Sequence, residues 1–127
     1  MAKNARFATS LKVLLALAEE PEKMHTSDSI AEKIGGSAVV IRRLFSAMHK
    51  AGLITQRKGP NGGAKLKHSA KQTGMGDLYR AAEGHWLATP DAAAAISSTL
   101  KDAEQDAIDA MNETTLAQIA KRLKKAK

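Results

Sequence analysis

Arg57, Lys58 and Lys65 bracket Gly59, Pro60, Asn61, Gly62 and Gly63 in the stretch RKGPNGGAKL, residues 57–66. A tight turn needs the glycines: Gly59, Gly62 and Gly63 are expected at positive φ, which keeps a hairpin tip narrow, and Pro60 stiffens it. The turn does not need cations. Cations on a slim tip with no acid among them suit phosphate oxygens or the negative potential of a DNA minor groove. A nucleotide-cradling loop is the rival chemistry. It requires Gly-Lys-Ser/Thr at the opening of a helix, whereas here Ala64-Lys65-Leu66 stands in a strand-like context. Taken alone, the stretch also reads as an ordinary surface hairpin.

Other chemistries find less support. Cysteine is absent, which removes disulfides, thiol redox switching and thiolate-ligated zinc or iron–sulfur centres. The histidines, His25, His49, His68 and His85, are scattered without ligand spacing. Asp102, Asp106 and Asp109 share a helical face, and a solvated face is preferred over a cation site. Asp77 and Glu83 read as a helix start and a helix end, not as an acid/base pair, and no nucleophile–base pair or cofactor loop is visible. Neither an enzyme, a metal site nor a bound cofactor is expected.

The charge is polarised along the chain. The formal net charge of the 127 residues is +7. Residues 33–76 hold nine Lys/Arg and no Asp or Glu, residues 84–113 hold one Lys and six acids, and residues 121–127 hold five Lys/Arg. A solvated surface accounts for the total but not for the long acid-free block, whose natural partner is a dense line of negative charge. No apolar run approaches a membrane span, and the early run at residues 13–18 lacks a signal-peptide layout. The expectation is a cytoplasmic protein with no membrane association.

The elements that position these residues follow from hydrophobic spacing. With aromatics at only 3%, the core must come from Leu, Ile, Val, Met and Ala, and the chain length fits one domain or one domain with an appended helix. Residues 5–19 read as a helix with Ala8, Leu11, Leu14, Leu15 and Ala18 on one face, widened by Val13 and Leu17 and ended by Pro21. A second, short helix starts at a Thr26 or Ser27 cap, buries Ile30, Ala31 and Ile34, and stops at Gly35-Gly36. Ser37 is expected to cap a third helix whose core stripe is Ile41, Leu44, Phe45 and Met48, with Arg42 and Arg43 facing away and Gly52 ending it. Then LITQR and AKLKH form a hairpin around the glycine turn. Helix, two-glycine turn, helix and hairpin is the order of a winged helix-turn-helix, in which the third helix enters the DNA major groove.

IRRLFSAMHKAGLITQRKGPNGGAKL, continued by GDLYRAAEG, resembles the dimeric bacterial winged-helix repressors often called the Rrf-two family, which include iron–sulfur-cluster, nitric-oxide and cysteine-metabolism regulators. The shared pattern runs through Leu44-Phe45, Ala51-Gly52-Leu53, the tip from Lys58 to Gly63, and the helix end at Leu78 to Gly84. The resemblance implies that Ser37, Val39, Val40, Arg42 and Arg43 meet the major groove, and that Lys58, beside Arg57, takes the place of a wing arginine. It implies a homodimer on a palindromic operator. Many relatives hold an iron–sulfur cluster with three cysteines in the loop that here reads HWLATP, residues 85–90. This loop has no thiolate.

A long helix is expected to open at Pro90-Asp91. Ala93, Ile96, Leu100, Ala103, Ala107 and Ala110 run along it at alternating spacings of three and four, a seam for dimerisation or for packing against its own domain. Trp86 reads either as a hydrophobic plug at the helix junction, the preferred reading, or as the wall of an effector pocket. Thr115 and Gln118 resemble a capping box opening a last short helix with a basic end, which either supplements DNA binding or is a solvated terminus. The expected fold is mainly α with a small β-hairpin wing: a winged helix-turn-helix over residues 1–84, a loop and long dimerisation helix over 85–112, and a short basic helix over 113–127. The expected function is a sequence-specific transcriptional regulator, a repressor without an iron–sulfur cluster, binding double-stranded DNA as a homodimer. An unidentified small-molecule effector is left open. A nonspecific architectural nucleic-acid binder and a protein-interaction adaptor are the alternatives.

Overall fold

A computed structural model describes residues 4–60, 62–87 and 93–126. Helix α1 (Ala5–Glu19) lies at the centre and packs against α2 (Ser27–Ile34), α3 (Ala38–Lys50), α4 (Met75–Glu83), α6 (Leu116–Lys125) and strand β2 (Gly63–Leu66). Burial on several sides explains its wide apolar face: Val13, Leu14 and Leu17 are fully enclosed. The predicted stripe is partly displaced. Ala8 is exposed, and Ser10 and Ala16 are buried instead, because neighbours on all sides draw in small residues beyond one stripe.

Thr26 is the cap of α2: its Oγ1 accepts from the Ser29 N–H at 3.0 Å, and Gly35 ends the helix at φ +75°. That left-handed residue, which favours glycine, sets the turn into α3. The α3 stripe is as expected, with Ile41, Leu44, Phe45 and Met48 all buried. Strand β1 (Ile54–Arg57) pairs antiparallel with β2, Ile54 opposite Leu66 and Arg57 opposite Gly63. A single 3-10 turn, Ala70–Gln72, leads into α4.

Helix α5 (Ala94–Met111) follows α4 and packs along it. Gly76 on α4 permits this approach, since a Cβ there would lie 2.1 Å from the Ile108 carbonyl oxygen. The expected helix start at Pro90-Asp91 lies outside the described residues. Thr115 and Gln118 form a complete capping box on α6. Leu116 joins the core built around α1, and the Leu116 N–H donates to the Thr73 carbonyl at 2.8 Å, tying the C-terminal helix back to the segment before α4. The architecture is a winged helix-turn-helix followed by a long helix and a short one.

Candidate nucleic-acid interface

The outer side of α3 is built by the same periodicity that buries its core stripe. Val39, Val40, Arg42 and Arg43 are exposed between the buried positions. Ser37 occupies the N-cap position in an extended conformation, but its side chain makes no capping bond. The expected cap is therefore corrected. Ser37 is exposed, and the start of the helix is left without a side-chain cap. Arg42 Nη2 lies 3.9 Å from Asp28 Oδ1 on α2, with both side chains mostly exposed. Such a contact is weak and readily exchanged for another anion.

The wing is narrow for three different glycine reasons. Gly59 and Gly63 adopt φ of +102° and +138°. Gly62, expected at positive φ, is not in that region; it is needed because a Cβ would lie 2.2 Å from the Arg57 carbonyl oxygen across the tip. Gly63 is doubly constrained, since a Cβ would also meet the His25 carbonyl oxygen at 2.5 Å. His25 supplies a third strand-like partner: its N–H and carbonyl exchange hydrogen bonds with Ala64, both at 2.8 Å. Ile54, Ala64 and Leu66 point into the core. Strand alternation therefore puts Arg57 and Lys65 on the opposite, solvent-facing side with Thr55. Lys58, Gly59 and Pro60 are exposed; Asn61 lies outside the described residues.

Arg6, which sequence reasoning left out, lines a shallow groove with Val40, Arg43 and Glu83 between α1, α3 and α4. Its position follows from the way α4 ends against the start of α1, which no local pattern reports. Glu104 was likewise unassigned. It lies on the buried side of α5 at 2% exposure, with Oε2 3.2 Å from His85 Nδ1 and 3.8 Å from Arg80 Nη2. Trp86 is 37% exposed and meets Tyr79 edge-on at 5.1 Å between ring centroids, and Tyr79 in turn lies 5.2 Å from Phe7. The plug reading is corrected: Trp86 caps an aromatic row from outside rather than filling the core.

On α5 the predicted seam divides by burial. Ala93, Ile96, Ala103 and Ala110 are exposed, and Leu100 and Ala107 are half-buried. The packing against α4 is made by Glu104 and Ile108 on an adjoining face. Among the described residues no helix is long and apolar enough to cross a membrane, and no three His, Asp or Glu side chains gather as metal ligands.

Residues 3–123 match the family model described as "Rrf2: Iron-dependent Transcriptional regulator". The chain belongs to the Rrf2 family. It is 34% identical over 80 residues to the putative HTH-type transcriptional regulator YwnA of Bacillus subtilis, an alignment that covers 63% of this chain and 58% of YwnA. The chain thus spans little more than half of that curated relative. Its fold is similar to that of IscR from T. potens (TM-score 0.72, 23% identity, covering all of this chain and 91% of the other). It is also similar to CymR, the global cysteine regulator of B. subtilis (TM-score 0.71, 22% identity, covering 96% and 98%). These relatives of the Rrf2 chain are transcriptional regulators, not enzymes.

Proposed function

We propose that this Rrf2-family regulator is a repressor that binds a near-palindromic DNA operator as a homodimer. The carrying observation is the outer side of α3, where Arg42, Arg43, Val39 and Val40 are exposed beside an uncapped helix start while every stripe residue is buried. Recognition helices of two protomers would enter successive major grooves about 34 Å apart. Arg42 and Arg43 supply guanine or phosphate contacts, Ser37 a polar contact, and Arg57, Lys58 and Lys65 on the wing the backbone or minor-groove contacts. The exposed run of Ala93, Ile96, Ala103 and Ala110 supports α5 as the dimer helix, since small side chains allow a second helix to approach closely.

The family description includes iron, and the donor set of this chain does not fit an iron or iron–sulfur group. There is no cysteine anywhere in the sequence. Among the described residues, the buried carboxylate beside the loop after α4, Glu104, shares its surroundings with the Arg80 guanidinium, a fixed positive charge that disfavours a cation beside it. Regulation in this chain therefore runs without a thiolate-bound cluster, through a noncovalent ligand, a partner, or expression level alone.

Selection of bound sequences from random duplexes tests the reading. A palindromic consensus is expected, bound far more tightly than random DNA. Arg42→Ala should relax that preference. Equal affinity for the consensus and for random duplexes would leave a nonspecific binder in its place.

A further inference from the structure

We propose that Val39 and Val40 read thymine methyl groups, so that the α3 contact selects guanine and thymine and carries no amide or carboxylate reader of adenine or cytosine. This rests on the DNA-binding reading above and names the chemistry of the bases it selects.

The first observation is exposure. Val39 is 50% and Val40 38% exposed, whereas Ile41, Leu44, Phe45 and Met48 on the same helix are at most 7% exposed. Valines this exposed gain less from packing than the core stripe does, and β-branched residues are weaker helix formers than alanine. Neither valine joins the buried core, although Val40 lines the groove shared with Arg6, Arg43 and Glu83. They sit in the first turn, and Arg42 and Arg43 follow one turn later on the same side, at the spacing that makes helix neighbours. An apolar patch flanked by two guanidinium groups in a block of residues 33–76 with no acid fits a partner that is anionic and carries isolated methyl groups. The major groove of DNA is such a surface.

The second observation is what α3 lacks. Adenine is read by Asn or Gln, cytosine by Asp or Glu, guanine by Arg or Lys, and thymine by apolar contact with its C5 methyl. The segment SAVVIRRLFSAMHK, residues 37–50, contains no Asn, Gln, Asp or Glu. Arginine for guanine and valine for thymine are the readers that remain, with the Ser37 hydroxyl able to serve any base.

The test uses the full chain and the duplex selected as above. Each thymine of a half-site is replaced in turn by uracil, which removes the methyl and leaves the hydrogen-bonding edge unchanged. At one or two positions per half-site, affinity should fall roughly 4- to 10-fold, the scale of one buried methyl group. Val39→Ala or Val40→Ala should lower affinity for the thymine duplex by a similar factor and erase the thymine–uracil difference at its own position. Both variants improve helix propensity, and circular dichroism verifies their folding. If the consensus binds tightly but uracil is tolerated at every position, or if both variants keep the full difference, the inference is overturned. If no duplex is enriched at all, the DNA-binding reading itself fails, an outcome distinct from uracil tolerance.

Discussion

The carboxylate of Glu83, at the last turn of α4, accepts a hydrogen bond from the Phe7 backbone N–H at 2.7 Å, joining residues 76 apart in sequence. Phe7 lies in the first turn of α1, where N–H groups have no partner within the helix and where the helix dipole favours negative charge. Asn4, at the N-cap, makes no side-chain capping bond to the helix, so Glu83 takes over that role from another element. Glu83→Ala should cost about 1–2 kcal/mol, and Glu83→Gln, which keeps an acceptor but not the charge, should cost less. Urea denaturation of the two variants measures the difference.

Gly76→Ala should be more damaging. A methyl at this position meets the Ile108 carbonyl at 2.1 Å, and backbone cannot yield as a side-chain tip does. We expect a loss of about 2–3 kcal/mol with α5 displaced from α4. A lower denaturation midpoint together with faster proteolysis within α5 is the expected result.

Ser10 predicts a change of the opposite sign. It is fully buried in α1 and its Oγ has no hydrogen-bond partner among the described residues. Ser10→Ala removes an unsatisfied hydroxyl and improves helix propensity. A gain of about 1 kcal/mol is expected, read as a higher Tm in calorimetry.

Much of this fold was legible in the sequence. The α3 stripe follows from helical spacing alone, and the Thr115–Gln118 box from a three-residue signature. Gly63 was legible as a turn residue, but not the reason no other residue fits there: it crosses the His25 backbone, a partner distant in sequence. Glu104 shows the same limit. A carboxylate among acids on a long helix reads as solvated, and only the approach of Arg80 and His85 from α4 and its following loop gives it a buried setting. The sequence favours Trp86 as a plug because lone aromatics are usually enclosed. Its place at the open end of a row starting at Phe7 depends on how α4 lies across α1.

The wing cations carry a prediction about salt. Lys58→Ala should weaken binding almost equally across sequences and reduce the salt dependence of affinity by about one counterion. Arg42→Ala should change the sequence preference as well. Binding titrations at several salt concentrations, on the consensus and on random DNA, separate the two effects.

The exposed face of α5 predicts an assembly effect. Ile96 is 55% exposed, and on the proposed homodimer Ile96→Glu should leave the fold of the single chain unchanged while shifting the assembly to monomer. Sedimentation reads the first effect. A loss of operator affinity without loss of helical signal reads its consequence for DNA binding.

The pair of hydrogen bonds between His25 and Ala64 bolts the root of the hairpin to the strap of chain that leads into α2. The outermost residues, 58–60 and 62, take no part in that mounting. Among them the side chains of Lys58 and Pro60 are a detachable fitting: a lineage can exchange them to alter grip without realigning the helices behind, whereas Gly62 and the joint at Gly63 tolerate nothing bulkier than the glycine they have.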